Sequence, residues 1–550
     1  MTCFAKTMGI LLLVAVALSH GDSRGFSACT TVMAGRKATG DGSVLMSSSC
    51  DGNQMGHIYV VAARQFPEER AVPMFRGGDD AVGHLPPIRE TYRSVVFGAG
   101  ALGGLNEHGV SIGIEFIPAR PGLASAEGVV SPYSDHWTTS LIANGLMRAR
   151  TAREAIELIG SLVEQHGFLY TWAPNAGVAL PIADRNEVWL MEIFGPGEDW
   201  TPQDGTPGGV WCAQRIPDGA VGVSANRSRI GEVDLEDTDH YMASSHIFSM
   251  ARDLGLWEEG KAFVWYDVYG APAGRGAVLR EWRALSLVAP SLGLQPGEDP
   301  GAERYPFSVE PDEPITVKAL MRLMRDGYEG TAFDVTARPA FQVDGERSPL
   351  ARPWGPPELF ELVGVEPERA INTPTSTFVF VAQSRNWLPE PIGSLAWFAY
   401  GPASTSCFVP IYAGTTELPA AWVDPPDLTG IDRRQVQWNY RLVHNLANNL
   451  QYQEVMEDVR AVIEAAEEEF LGIQPELEEA ALRALEKEGG ARAEELVTEY
   501  GLRCLADVGR AYHELVDYLM FQYLYDRADL APPTLPAVAQ PEVPQVLASE

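Results

Sequence analysis

Two β-forming runs joined by a tight turn constrain how this chain begins to fold. CTTVMAG, residues 29–35, is rich in β-branched residues, and SVLMSSSCDG, residues 43–52, follows the turn signal Gly40-Asp41-Gly42. The two runs are expected to pair as an antiparallel hairpin. With the turn centred near Thr39 and Gly40, residues whose numbers sum to about 79 or 80 face each other. Cys29 then lies opposite Cys50 and Asp51.

What precedes Cys29 has the three parts of an export signal: Lys6, an apolar run from Met8 to Leu18, and the small polar stretch SHGDSRGFSA. The run is too short to span a bilayer, and no later segment is apolar for long enough; YLMFQYLYDRADL is broken by Gln522, Asp526 and Arg527. The expectation is a secreted or extracytoplasmic protein whose residues 1–28 are a signal peptide plus a short propeptide or spacer. Cleavage before Cys29 exposes a thiol and an α-amino group on one residue. The amine, with an ordinary pKa of roughly 7.7 to 8 against about 8.5 for the thiol, is matched to accept the thiol proton. The competing reading of Cys29 is a buried or disulfide-bonded cysteine that merely follows a signal.

The 550 residues are 45% apolar and 21% charged, which suits a large folded core. A formal net charge of -33 repels phosphate backbones and argues against nucleic acid as a partner. Of the six cysteines, none are two to four residues apart, so no zinc pattern is present, and no Walker, dinucleotide or zincin motif appears. With Cys3 removed in the signal and Cys29 kept as a thiol, Cys50, Cys212, Cys407 and Cys504 allow up to two disulfides.

Further along, YRSVVFGAGALGGLNEHGVSIGIEFI reads as strand, glycine turn at Gly103-Gly104 and strand, with Asn106 at the bend. Leu141, Ile142, Leu146 and Met147 show helical spacing. Thr151 and Glu154 form a capping box for a second helix closed by Gly167. VALPIADRNEVWLMEIF, VWCAQRI, AVGVSAN, TSTFVFVAQSR and CFVPIYAG read as strands, and Ala251 to Trp354 as short helices and loops. From Val436 to about Asp529 the pattern is helical, and the acidic run Glu464 to Phe470 is expected to be a solvated face. The division expected is a catalytic domain over 29–430, a helical region over 431–530 and a disordered Pro-rich tail over 531–550.

CTTVMAGRKATGDGSVLMSSSCDG resembles the opening of mature enzymes in the cysteine dipeptidase family of N-terminal nucleophile hydrolases, which includes dipeptidase A and the secernins. GGLNEHGVSIGIE, TAREAIELIGSLVEQHG, IADRNEVWLMEI, WCAQRIPDG, SANRSRI and LAWFAYGPASTSCFVPIYAG continue the likeness in order, so that it covers nearly all of residues 29 to about 470. The resemblance implies an α+β fold, the four-layer αββα N-terminal nucleophile sandwich, here with a C-terminal helical extension. It implies hydrolysis of dipeptides or short peptides by Cys29 without metal or organic cofactor. Asp51 matches the acid that holds the nucleophile's amine, Asn226 the side-chain oxyanion donor, and Asn106 the residue whose backbone N–H is the other donor. Each also reads as an ordinary turn residue.

The chain departs from the family where Ser48-Ser49 replaces an Arg-Asn pair and Cys50 replaces a common acid. Cys50 is either a disulfide partner of Cys212 or Cys407, the pairing expected in an exported protein, or a second thiol lining the site. His108 raises a Cys-His protease as a rival, but the papain-type signature around the cysteine is missing. Three further readings stay open: an acylase of non-peptide amides, an inactive interaction protein, and a binding module lipidated at Cys29, for which Phe26-Ser27-Ala28-Cys29 is a faint cleavage box. The oligomeric state, a homo-oligomer included, is left open.

Overall fold

In the computed structural model the described residues are 29–534, apart from 53–55, 76–79, 125–126, 171–174, 298–302, 425–428 and 526–529. Residues 1–28, expected as a signal and spacer, and most of the Pro-rich tail therefore lie outside them. The opening hairpin forms from Thr31–Ala34 (β1) and Val44–Asp51 (β2). Its partners run from Thr31 with Ser48 to Ala34 with Leu45, so their numbers sum to 79. Both strands are buried along their whole length, because they occupy the middle of a seven-stranded antiparallel sheet. Val221–Ser224 flanks β1 and Ser376–Ser384 flanks β2.

A nine-stranded antiparallel sheet is built around Ala176–Ala183, Val188–Phe194 and Val210–Arg215. The two sheets share one apolar core. Phe97 of the nine-stranded sheet meets Phe378, Phe380 and Phe398 of the other at ring separations of 6.0, 4.9 and 5.0 Å, within the range of attractive aromatic pairs. Helices Leu141–Arg148 and Ala152–His166 pack on strands of the nine-stranded sheet, and Arg275–Val288 and Val317–Met324 on strands of the seven-stranded one. The chain is thus α+β, with antiparallel sheets and a C-terminal helical region.

That region comprises Val436–Asn449, Tyr452–Glu488 and Gly490–Leu524. The second helix buries Val455, Met456, Val459, Val462, Ile463, Ala466 and Phe470, the three-and-four spacing of one helical face. Tyr512 anchors the last helix to the seven-stranded sheet, donating to the Thr405 carbonyl at 2.9 Å and accepting from the Cys407 N–H at 2.8 Å. Among the described residues no helix is long and apolar enough to cross a membrane.

Four local features go beyond or against the sequence reading. Ser394–Tyr400, to which no element was assigned, is a fully buried strand of the seven-stranded sheet. The long hairpin Arg64–Phe75 with Ala81–Thr91 went unseen, because Pro67, Pro73, Pro86 and Pro87 mark it as non-strand; it forms a separate, largely exposed two-stranded ribbon. Within the acidic run, Glu464 and Glu468 are exposed as expected. Glu467 is instead buried, bonded to Arg325 and to the Phe408 N–H. Finally, Gly103 and Gly104 lie inside a strand, Gly103–Asn106, and the turn falls earlier, at Gly98–Leu102. Their lack of a side chain serves packing: a Cβ on Gly104 would stand 2.6 Å from both Leu146 Cδ1 and the Val95 carbonyl oxygen. Gly104→Ala should therefore cost about 1–3 kcal/mol of stability by overpacking, read as a lower urea midpoint at unchanged slope; an unchanged midpoint would show that the helix above yields freely.

Candidate active site

Cys29 stands just before β1 at 2% exposure. The ladder extends one pair past the strand end, with the Ser49 N–H donating to the Thr30 carbonyl and the Thr30 N–H to Ser49 Oγ, both at 3.0 Å. Alternation then makes Cys29 and Cys50 the next opposed pair, on one face. The Cys50 thiol and the Asp51 N–H are among the groups that act on the Cys29 sulfur. The hydrogen bond to Cys50, then burial, then repulsion from Cys50 and Asp51 push the Cys29 thiol well above its ordinary range, against the pull of the Asp51 N–H.

Asp51, also buried, accepts from Ser376 Oγ at 2.6 Å and from the Arg369 guanidinium. Burial raises its carboxyl above the usual range, opposed by Arg369, Ser376 and Arg280 in that order. The ion pair with Arg369 shows which partner steadies the carboxylate, while burial sets the direction of the shift.

Asn226 follows strand Val221–Ser224 in a left-handed conformation, φ +64°, a region asparagine tolerates better than most residues. Its Nδ2 donates to the Phe116 carbonyl at 2.9 Å, and its Oδ1 accepts from Arg280 Nη2 at 2.9 Å. The same Arg280, on helix Arg275–Val288, donates through Nη1 to the Cys29 carbonyl at 2.5 Å and to Thr30 Oγ1 at 2.9 Å. One buried guanidinium thus ties the cysteine to the asparagine. Burial lowers its pKa to about 10, which leaves it cationic at neutral pH.

Glu115 reaches across from the nine-stranded sheet and accepts from Ser224 Oγ at 2.7 Å and from the Asn226 N–H at 3.1 Å. Burial pushes its carboxyl up to about 7, against hydrogen bonds from Thr31, Ser224 and Asn226 and the field of Arg280. Beyond Asn226 the loop is locked by buried charge: Glu281 pairs with Arg227 and Arg229 at 3.0 Å each, and Glu192 accepts from Ser228, Trp265 and the Arg229 N–H. Tyr133 and Tyr170 lie near both thiols, and burial first, with the sulfurs adding to it, raises both phenols. They therefore stay protonated at neutral pH.

Of the residues singled out by sequence, Cys29, Asp51 and Asn226 are gathered here; Asn106 is not. It ends strand Gly103–Asn106 in the other sheet, and its N–H is spent on the Val110 carbonyl at 2.9 Å. Its side chain donates to the Leu146 and Ala149 carbonyls at 2.8 Å and accepts from the His108 and Val110 amides. A donor committed in this way has no hydrogen left for an oxyanion, so Asn106 is a turn-bracing residue. His108 lies in the same turn, its Nδ1 2.9 Å from Glu390 and its ring edge-on to Tyr92. The disulfides expected of Cys50 are also not formed: no disulfide joins Cys50, Cys212, Cys407 or Cys504 among the described residues. The register turns Cys50 toward Cys29, whereas Cys212 lies in the other sheet and Cys504 in the last helix.

Sequence reasoning missed Arg280, Glu115, Arg369 and Ser376. One signal was present for Arg280. Ala277, Arg280, Glu281 and Ala284 share a helical face that is buried throughout, so charges occupied positions where an amphipathic helix places apolar residues. Glu115, Arg369 and Ser376 carry no such local mark.

Glu115 supplies a test. Its folded value lies above the ordinary 4.5, so its stabilising contribution is full below about 4.5 and is lost as pH rises through about 7. Glu115→Gln, neutral at every pH, should show a smaller fall in Tm than the unmodified protein across that window. Parallel Tm profiles for the two proteins would mean that Glu115 does not titrate there.

Comparison with known proteins places this arrangement. The model of peptidase family C69 matches residues 28–465. The chain is 26% identical over 421 residues to a probable dipeptidase B of Lactococcus lactis subsp. lactis (strain IL1403), covering 73% of this chain and 78% of that protein. It is 23% identical over 410 residues to dipeptidase A of Lactobacillus helveticus, covering 72% and 78%, and 27% identical over 405 residues to a probable dipeptidase of Salmonella dublin, covering 70% and 81%. With its hairpin cysteine, nearby buried aspartate and tethered asparagine inside a match that runs through most of its length, the chain belongs to peptidase family C69.

Proposed function

We propose that the protein is an exported cysteine peptidase that hydrolyses dipeptides or short peptides, with Cys29 as an N-terminal nucleophile on a four-layer αββα sandwich. The observation that carries this is the hairpin register that sets Cys29 across from Cys50 and leaves the buried Asp51 one residue further on, close enough to act on the Cys29 thiol. The dipeptidase names of its relatives support the substrate class. The order of contacts, helices on each sheet and the sheets on each other, supports the layered reading.

Removal of residues 1–28 gives Cys29 an α-amine with an ordinary pKa of roughly 7.7 to 8. The Asp51 carboxylate attracts it as an ammonium, and that positive charge offsets the factors that raise the thiol. The amine takes the thiol proton, the thiolate attacks the peptide carbonyl, and an oxyanion forms. An amide nitrogen carries two hydrogens; the Phe116 carbonyl takes one from Asn226 Nδ2, and the second is assigned to the oxyanion. Arg280 keeps that side chain at a fixed distance from Cys29 by holding both. The leaving amine then takes a proton from the ammonium, and water releases the thioester.

The active chain should begin at Cys29 by N-terminal sequencing; full activity from a chain starting at Met1 or Asp22 would remove the amine from the mechanism. Cys29→Ala should abolish dipeptide turnover, and Cys29→Ser should leave at most a weak rate. Asp51→Asn should lower kcat more than it changes KM. Asn226→Ala should cost on the order of 10² to 10³ in kcat. His108→Ala should keep most activity, since its ring bonds Glu390; a loss equal to that of Cys29→Ala would make a histidine the base.

A further inference from the structure

Cys50 is a thiol beside the nucleophile for which peptide hydrolysis has no use. It stands directly across from Cys29, and the neighbouring pair Thr30 and Ser49 is the hydrogen-bonded one, through the Ser49 N–H and the Thr30 carbonyl at 3.0 Å. Cys29 and Cys50 are therefore the non-hydrogen-bonded pair that follows. Opposed residues of that kind have Cα atoms about 4.5 Å apart with side chains on the same face, inside the roughly 4.4 to 6.8 Å that a disulfide spans. Cys212 and Cys504 lie on other elements, in the second sheet and the last helix. Both partners of the pair are buried, Cys29 at 2% and Cys50 at 5% exposure.

We propose that Cys29 and Cys50 form a dithiol that hydroperoxides oxidise to a reversible disulfide, with Cys50 as the resolving thiol that masks Cys29 and shields it from further oxidation. In the first step the Cys29 sulfur attacks the terminal peroxide oxygen, the O–O bond breaks, and the departing hydroxide, or alkoxide from an organic hydroperoxide, takes the thiol proton and leaves as water or alcohol. A sulfenic acid is left on Cys29. The Cys50 sulfur then attacks the Cys29 sulfur, the S–O bond breaks, and hydroxide leaves as water with the Cys50 proton. Two thiols have lost two electrons and two protons, and the hydroperoxide has gained them. A dithiol reductant reverses the change by exchange. Arrest of hydrolysis by this link rests on Cys29 being the nucleophile; formation of the link does not.

The test treats the mature protein with hydrogen peroxide, maps its cysteine peptides by mass spectrometry, and follows dipeptide turnover before and after dithiothreitol. Expected is a Cys29–Cys50 linked peptide lacking two hydrogens, with turnover lost and then restored by the reductant. In Cys50→Ser the Cys29 peptide should instead gain two or three oxygens, and the fraction of its own starting activity recovered should fall at least roughly tenfold relative to the unmodified protein. Sulfinic acid on Cys29 of the unmodified protein, with Cys50 still a thiol, would overturn the proposal. Because the mass readout needs no activity, it decides the matter even if Cys50→Ser is inactive. A linked peptide with turnover undiminished would uphold the pairing and refute Cys29 as nucleophile.

Discussion

A single buried cation organises the centre of this protein. Arg280 leaves its helix to bind the Cys29 carbonyl, Thr30 Oγ1, the Ala225 carbonyl and Asn226 Oδ1, while its Nε returns to the Gly276 carbonyl. A guanidinium taken out of water costs several kcal/mol unless its donors are satisfied and its charge is answered. Here every nitrogen has an acceptor, and Asp51 and Glu115 contribute opposing charge. The start of β1, the end of the neighbouring strand and the helix beneath them are therefore positioned by one group. None can shift without stranding a charge.

Around it the site is a set of buried acids held under strain of solvation. Asp51 and Glu115 both have carboxyls raised by burial, and each is pulled back by neighbouring hydrogen bonds and by arginines. The same device recurs away from the cysteine: Glu281 between Arg227 and Arg229, Glu192 beneath Ser228 and Trp265, Glu467 on Arg325. A chain with net charge -33 keeps most of its acids in water. The few it buries are paired or multiply hydrogen-bonded, and they sit where loops must be held to the sheets.

Where reading the sequence failed, the failures have a common cause. Asn106 and Asn226 look alike as turn asparagines, and both ends of the comparison needed their surroundings. One has its amide closed on Val110, the other is suspended between Phe116 and Arg280. Gly103 and Gly104 read as a turn because glycine marks flexibility locally, yet here glycine serves the close approach of Leu146. Cys50 was assigned by compartment to a disulfide with a distant cysteine, although the hairpin register already set it against Cys29. The register was the stronger evidence, since a pleat leaves no choice of face.

The sequence by itself determined the hairpin and its pairing, the capped helix opened by Thr151 and closed by Gly167, and the long C-terminal helices. Those features depend on periodicity and turn chemistry within a few residues, which a single chain displays in full. It also carried the cysteine and the thiol set across from it, with Asp51 next in the strand, because strand register is local. Only the tertiary structure decided the rest of the site. Arg280 lies 251 residues from Cys29, Arg369 lies 318 from Asp51, and Glu115 lies 111 from Asn226. Their meeting follows from how two sheets stack and a helix covers one of them, and no local pattern records that.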